Sequence, residues 1–192
     1  MSIVVGNNDP SLSDHLKAFI QTRDAVVVGI IGAGSSRELT AMWESPFENE
    51  TPGSMLSKAG GMFQMQTDMT SKTKLNTTQV WSGTMPLVFS LVLELYAIND
   101  AYSEVQAAVV ELEKAASPEI YGATPMGRTP EKTIALNAGR QIIYPECVIT
   151  SISRQLDGPI SHEGYPLQGQ VTLQLETVGT VNRSDISTTF GG

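Results

Sequence analysis

The stretch from Leu87 to Tyr96 constrains this chain more than any other. It reads Leu-Val-Phe-Ser-Leu-Val-Leu-Glu-Leu-Tyr, and one parity is wholly apolar: Leu87, Phe89, Leu91, Leu93 and Leu95. Successive side chains of a strand point to opposite faces, so this pattern predicts a long strand with one face fully buried. The other parity, Val88, Ser90, Val92, Glu94 and Tyr96, is mixed, which predicts partial burial. After Asp100 the period changes. Ala101, Val105, Ala108, Leu112 and Ala116 recur at helical spacing, broadened by Tyr102 and Val109. That stripe predicts an amphipathic helix over about 100–116. Asn99 or Asp100 is placed to cap its first turn with a short side-chain oxygen. Pro118 ends it, because the residue before proline avoids helical geometry.

The flanking segments read mostly as strands. Met62–Met69 alternates Phe63, Met65, Thr67 and Met69 against Gln64, Gln66 and Asp68. Ser71–Gln79 reads as an exposed strand or hairpin. Arg140–Tyr144 and Glu146–Ser153 read as strands interrupted at Pro145, and Gln170–Val178 alternates with Val171, Leu173, Leu175 and Thr177 on one face. Leu12, His15, Leu16, Phe19 and Ile20 predict a short amphipathic helix near the N-terminus, capped by Ser11 or Ser13. Strands outnumber helices and do not alternate with them. The fold class is therefore α+β, mainly β: an antiparallel β-sandwich or open barrel with one packed amphipathic helix. Pro46, Pro52, Gly53, Gly60 and Gly61 place a boundary near residue 60. It divides an N-terminal arm with a short helix and strand (1–60) from a β core (61–192).

Bulk properties narrow the function classes. The chain has 192 residues, a net charge of −8 and a single cysteine, Cys147. One cysteine forms no internal disulfide and fits a reducing compartment. An acidic chain lacks the basic footprint of a tight nucleic-acid binder. There is no apolar run of the roughly 18 residues that a membrane-spanning helix needs, and the first residues do not read as a signal peptide.

The chemistry-bearing residues are sparse. His15 and His162 are the only histidines and lack metal-ligand spacing, so no metal or cofactor is expected. Cys147 falls in a strand and reads as a buried small hydrophobe rather than a nucleophile. Glu111 and Glu113 read as a solvated helix face. Trp81 reads as an anchor for the core or an interface, and Met55, Met62, Met65, Met69 and Met85 as adaptable packing. The segment Val26-Val27-Val28-Gly29-Ile30-Ile31-Gly32-Ala33-Gly34 is open to two readings. As an enzyme feature, Gly29–Gly34 would be a nucleotide-binding turn. Arg37 stands where the dinucleotide fingerprint has its third glycine, and no crossover helix follows. As a structural feature, Val26, Val27, Val28, Ile30 and Ile31 form an apolar strand serving assembly with another subunit. On that reading residues 1–34 are dispensable for folding.

A resemblance favours the structural reading. Trp81-Ser82-Gly83-Thr84-Met85-Pro86 with the strand after it, Ala97-Ile98-Asn99-Asp100-Ala101-Tyr102 and the helix ending Ala115-Ala116-Ser117-Pro118 resemble baseplate and tail-tube-related proteins of contractile-tailed bacteriophages. Ile142–Ile149, Gly164-Tyr165-Pro166 and Val171–Thr177 are similar to the same group, so the resemblance covers roughly residues 80–180. It carries no catalytic motif. It implies a tail-tube-like β fold, a non-enzymatic role and six copies assembled as a ring around a DNA channel. Its partners would be copies of itself and neighbouring tube, sheath or baseplate proteins. It also implies location in the virion after assembly in the host cytoplasm, without a membrane. Double-stranded DNA would pass without tight binding, along a polar wall for which Thr73, Asn76, Thr77, Thr78 and Gln79 are the candidates.

Overall fold

A computed structural model describes residues 3–44, 78–122 and 127–190. Two compact units emerge: Met1–Leu39 together with Pro86–Gly192, and Thr40–Met85. The larger unit contains β1 (Ile3–Gly6), a 3-10 turn (Asp14–Leu16), β2 (Lys17–Gln21), β3 (Ala25–Ile31) and β4 (Ser36–Glu38). The smaller contributes β5 (Ala41–Glu44) and β6 (Val80–Thr84). The larger then continues with β7 (Val88–Tyr96), a π-helical turn (Tyr102–Gln106), α1 (Ala107–Ala116), β8 (Ile134–Ala138), β9 (Ile142–Arg154), β10 (Gln168–Thr177) and a final 3-10 turn (Ile186–Thr189).

The fold is mainly β with one packed helix, and its sheet closes into a six-stranded antiparallel barrel. The order around the barrel is β3, β2, β8, β9, β10, β7 and back to β3. Closure rests on two register pairs, Ile30 with Glu94 and Ile31 with Leu93. Two short strands occupy what those pairs leave free. β1 runs parallel along the first half of β3, and β4 runs antiparallel along the first part of β7. Between the β3 and β4 pairings the ladder is completed by a side chain. Ser35 Oγ accepts from Val92 N (3.0 Å) and donates to the Gly32 carbonyl (2.9 Å), while Gly32 N donates to the Val92 carbonyl (2.7 Å). Every exposed-to-buried transition in a ladder must find partners for its N–H and C=O groups, and here a hydroxyl supplies them.

The long strand behaves as its alternation predicts. Leu87, Phe89, Leu91, Leu93 and Leu95 are all buried, joined inside the barrel by Ile20, Val27, Leu136, Val171, Leu173 and Leu175. Val105, Ala108, Val109, Leu112 and Ala115 bring the apolar face of the helix into the same core. Tyr102 does not join them: it is exposed and packs edge-on against Tyr165, with ring centroids 5.2 Å apart. Each fully buried large aliphatic side chain stabilises the fold by roughly 1.5–3 kcal/mol.

The helix starts as Asp100 predicts. Its carboxylate accepts from Tyr102 N (3.2 Å) and Ser103 N (3.0 Å). Glu104 reaches back to accept from the amides of Ile98, Asn99 and Asp100, so the donors at this end are answered reciprocally. At the other end Ser117 turns extended immediately before Pro118.

Three expectations change. The predicted N-terminal helix is a single 3-10 turn followed by strand β2, which hydrogen-bonds to β3 and β8 on its two edges. Ala18 and Ile20 point inward at strand spacing, and Ser13 caps the short turn by accepting from His15 N. Pro145 does not interrupt β9. The β8–β9 register shifts between Leu136–Tyr144 and Ile134–Cys147, and this irregularity spares the ladder a donor that proline lacks. Residues 1–39 are not an arm ending near residue 60: β1, β2 and β3 are built into the barrel unit. The expected strand Met62–Met69 lies outside the described residues.

Candidate functional site

The glycine segment has a structural use in this fold. A Cβ on Gly29 would stand 3.1 Å from a Leu95 methyl, and one on Gly32 would stand 2.9 Å from a Val92 methyl. Both glycines therefore let β3 cross close over β7 where the barrel closes. Gly34, at φ +93, turns the chain from β3 into β4 in a conformation that other residues resist.

Val26, Val27, Val28, Ile30 and Ile31 form β3, which is paired within its own chain on both edges. Val27 and Val28 are fully buried, and Val26, Ile30 and Ile31 are half-buried. The apolarity of this strand is thus explained by its central place in the barrel, and no edge of it is free along the paired residues for another subunit. The terminal strands of the eight-stranded sheet are β1 and β4, and Ile3 and Val4 on β1 are exposed.

The smaller unit has a different character. β5 and β6 form a two-stranded ribbon with Trp43 opposite Trp81. These side chains are 56% and 57% exposed, and Met42, Val80 and Met85 are also exposed. Trp81 is therefore no core anchor; its indole N–H donates to Thr84 Oγ1 at 3.2 Å. Of the proposed channel residues, Thr78 and Gln79 are exposed just before β6. Thr73, Asn76 and Thr77 lie outside the described residues.

The barrel unit carries cavities at both ends of its strands. One of about 320 Å³ is lined by the end of β3 and β8 and the start of β7 and β9, including Ile31, Phe89, Leu136 and Ile142, with His15 and Arg37 at its edge. Arg37 lies 4.5 Å from the Phe190 ring centre and donates to Thr189 Oγ1 at 3.2 Å, tying the last turn to this end. Nearby, Asp14 accepts from Arg140 at 2.7 Å and from the buried Lys17 at 3.4 Å. Two further cavities flank the start of β10. One of about 180 Å³ includes Gln106, Arg154, Asp157 and Gln168, and a neighbouring one of about 340 Å³ includes Glu94, Tyr96, Asp157 and Gln168.

The ionisable groups divide by cause. Burial pushes the Cys147 thiol up to about 12, which keeps it an uncharged core side chain at neutral pH. Hydrogen bonds from Ser103 hold the Asp100 carboxyl below its usual range. For Glu104 burial pulls upward, but the amides of Asn99, Ile98 and Asp100 outweigh it and lower the value. Both carboxylates serve the helix start. Among the described residues no group of three or more His, Cys, Asp or Glu side chains is placed to hold a metal ion, and no helix is long and apolar enough to cross a membrane. No protein-family model and no curated protein matches this sequence.

Proposed function

We propose that this chain is a structural subunit of a contractile phage tail or its baseplate, with six copies forming a ring around the DNA channel at or near the tail tube. The observation that carries this reading is the β5–β6 ribbon with its exposed Trp43 and Trp81. A two-stranded ribbon is marginal alone in water, and paired exposed indoles on it fit a surface that another protein covers. The resemblance of residues 80–180 supplies the kind of assembly. The other partners are neighbouring tube, sheath or baseplate proteins, and the protein resides in the virion after assembly in the host cytoplasm. The role is structural rather than catalytic.

DNA passes this ring without being held. The net charge of −8 suits that task, because each phosphate neutralised by a basic wall would release counterions and deepen the well that holds the duplex. Thr73, Asn76, Thr77, Thr78 and Gln79 are the proposed polar lining.

The test is sedimentation of the purified chain over a range of concentrations, with electron microscopy of the largest species and immunolabelling of intact particles. Six-fold rings, and label on the tail, are expected. A chain that stays monomeric throughout and is absent from particles overturns the reading. Lysines at Thr73, Thr77 and Gln79 should slow DNA delivery by assembled particles, with relief at high salt.

A further inference from the structure

Exposed apolar side chains gather at the end of the barrel unit where the helix begins. Ile98, Tyr102, Leu156, Ile160 and Leu167 are all exposed there, Leu156 by 89% and Ile160 by 65%. The backbone segments that carry them are tied together. Ala97 N donates to the Leu167 carbonyl (2.7 Å), Leu167 N donates to the Pro159 carbonyl (2.9 Å), and Ile160 forms a β-bridge with Pro166. The Tyr102 ring packs edge-on against Tyr165 across the same surface. Apolar residues scattered singly on a surface need no explanation, but a group held together marks an interaction site. These contacts fix the connector and the helix start before anything binds, so little freedom is lost on docking.

The charge around this patch has one prevailing sign. Residues 94–106 and 154–170 carry Glu94, Asp100, Glu104, Asp157 and Glu163 against a single arginine, Arg154. Arg154 is half-buried, and its Nε is sealed from solvent without a hydrogen-bond partner, so it offers little to an incoming chain. His162 lies 3.8 Å from Glu163. Asp100 and Glu104 accept from amides of the helix start and keep their negative charge. Glu94 and Asp157 line the cavity of about 340 Å³ together with Gln155, Gln168 and Gln170, and no basic side chain lines it. Neither carboxylate makes a hydrogen bond or an ion pair with another described residue.

We infer that this surface docks a segment of a different protein in which a lysine or arginine stands beside apolar side chains. The cation enters the cavity that Glu94 and Asp157 line, where carboxylate and amide oxygens accept its N–H groups. The apolar side chains beside it cover Leu156, Ile160 and Tyr102. Complementary charge steers such a segment in and excludes acidic competitors. A second copy lacks this chemistry: its net charge is −8, and Lys17, Lys114 and Arg140 are already in ion pairs of their own. The inference concerns the barrel unit and is independent of the ring reading, which rests on the ribbon.

The experiment follows backbone amide resonances by nitrogen-proton NMR on the full chain. The probes are the capped peptide acetyl-Trp-Leu-Lys-Arg-amide and its counterparts with Gln-Gln and Glu-Glu in place of Lys-Arg. The basic peptide should shift the amides of Tyr102, Leu156 and Ile160 saturably, at a concentration about tenfold lower than the neutral one requires, with the advantage shrinking at high salt. The acidic peptide should leave them in place. No saturable shift with the basic peptide, equal binding of all three peptides, or shifts confined to other parts of the chain overturn the inference. Movement of the same amides on concentrating the chain alone assigns the patch to a second copy and overturns it too. E94Q with D157N should abolish the preference for the basic over the neutral peptide, whereas L156S with I160S should weaken both peptides alike. A preference that survives E94Q with D157N in a folded chain also overturns it. Should either double variant fail to fold, the peptide series on the parent chain decides alone.

Discussion

The barrel and the ribbon use the same kinds of residue to opposite ends. In the barrel unit, Leu87, Phe89, Leu91, Leu93 and Leu95 disappear against the helix face and the facing strands, so the chain covers its own apolar surface. In the ribbon, Trp43, Trp81, Met42 and Val80 stay exposed on two short strands. The contrast teaches that apolarity in a sequence reports burial without saying whose surface does the burying. The first unit is stabilised from within, and the second presents what a partner would cover.

The comparison can be broken most severely by removing residues 1–34. That deletion takes away β1, β2 and β3, including the Ile30–Glu94 and Ile31–Leu93 closure. The expected outcome is loss of the cooperative unfolding transition in urea. A truncated chain that still unfolds cooperatively would mean the barrel does not depend on its N-terminal strands.

A smaller effect is expected from Leu93→Ala, which leaves a cavity at a fully buried position. It should cost roughly 2–5 kcal/mol by denaturant titration. A loss under about 1 kcal/mol would mean this face is not core. Ser35→Ala comes next. It deprives Val92 N–H and the Gly32 carbonyl of their partner, and should cost about 1–2 kcal/mol. An unchanged midpoint would show that water serves these groups equally well.

Glu104→Gln tests the helix start through pH. The folded value of Glu104 lies below its ordinary one, so its stabilising contribution is fully present above the unfolded value, about 4.3, and is lost as pH falls through the folded value. Glutamine lacks that contribution at every pH. The gap between parent and variant, read from unfolding midpoints, should therefore be widest near neutrality and close in acid. A gap independent of pH would assign the effect to packing.

The smallest change in stability is expected from Trp43→Ser with Trp81→Ser, within about 0.5 kcal/mol for the isolated chain. The same pair should abolish association measured by sedimentation. Large destabilisation without loss of association would reverse the assignment of this surface.

Local periodicity made part of this legible. The strand at Leu87–Tyr96, the cap at Asp100, the stop at Pro118 and the inward parity of Val171, Leu173 and Leu175 all follow from neighbours in sequence. What escaped depends on distant pairing. Leu12, His15, Leu16, Phe19 and Ile20 fall at helical spacing, yet hydrogen bonds to β3 and β8 decide in favour of a strand. Val26–Ile31 reads as a strand for another subunit until β1, β2 and β7 of its own chain are seen to pair with it. The glycines at 29 and 32 are open to a nucleotide-binding reading until Leu95 and Val92 are seen against them. The orphan Arg154 N–H has no sequence signature, because it arises from what the fold fails to place beside it.

The chain leaves the barrel unit after Leu39 and returns at Pro86, and the strands at those two points are register partners, Glu38 opposite Val88. The barrel therefore already holds the ends of the excursion together. Closing a longer loop between fixed ends costs only about 0.6 kcal/mol for each doubling of its length. Insertions are best tolerated at such points, so the intervening segment is free to lengthen, shorten or be exchanged over evolutionary time while the barrel keeps its registers. One scaffold of this kind can acquire new neighbours by rewriting a single inserted segment.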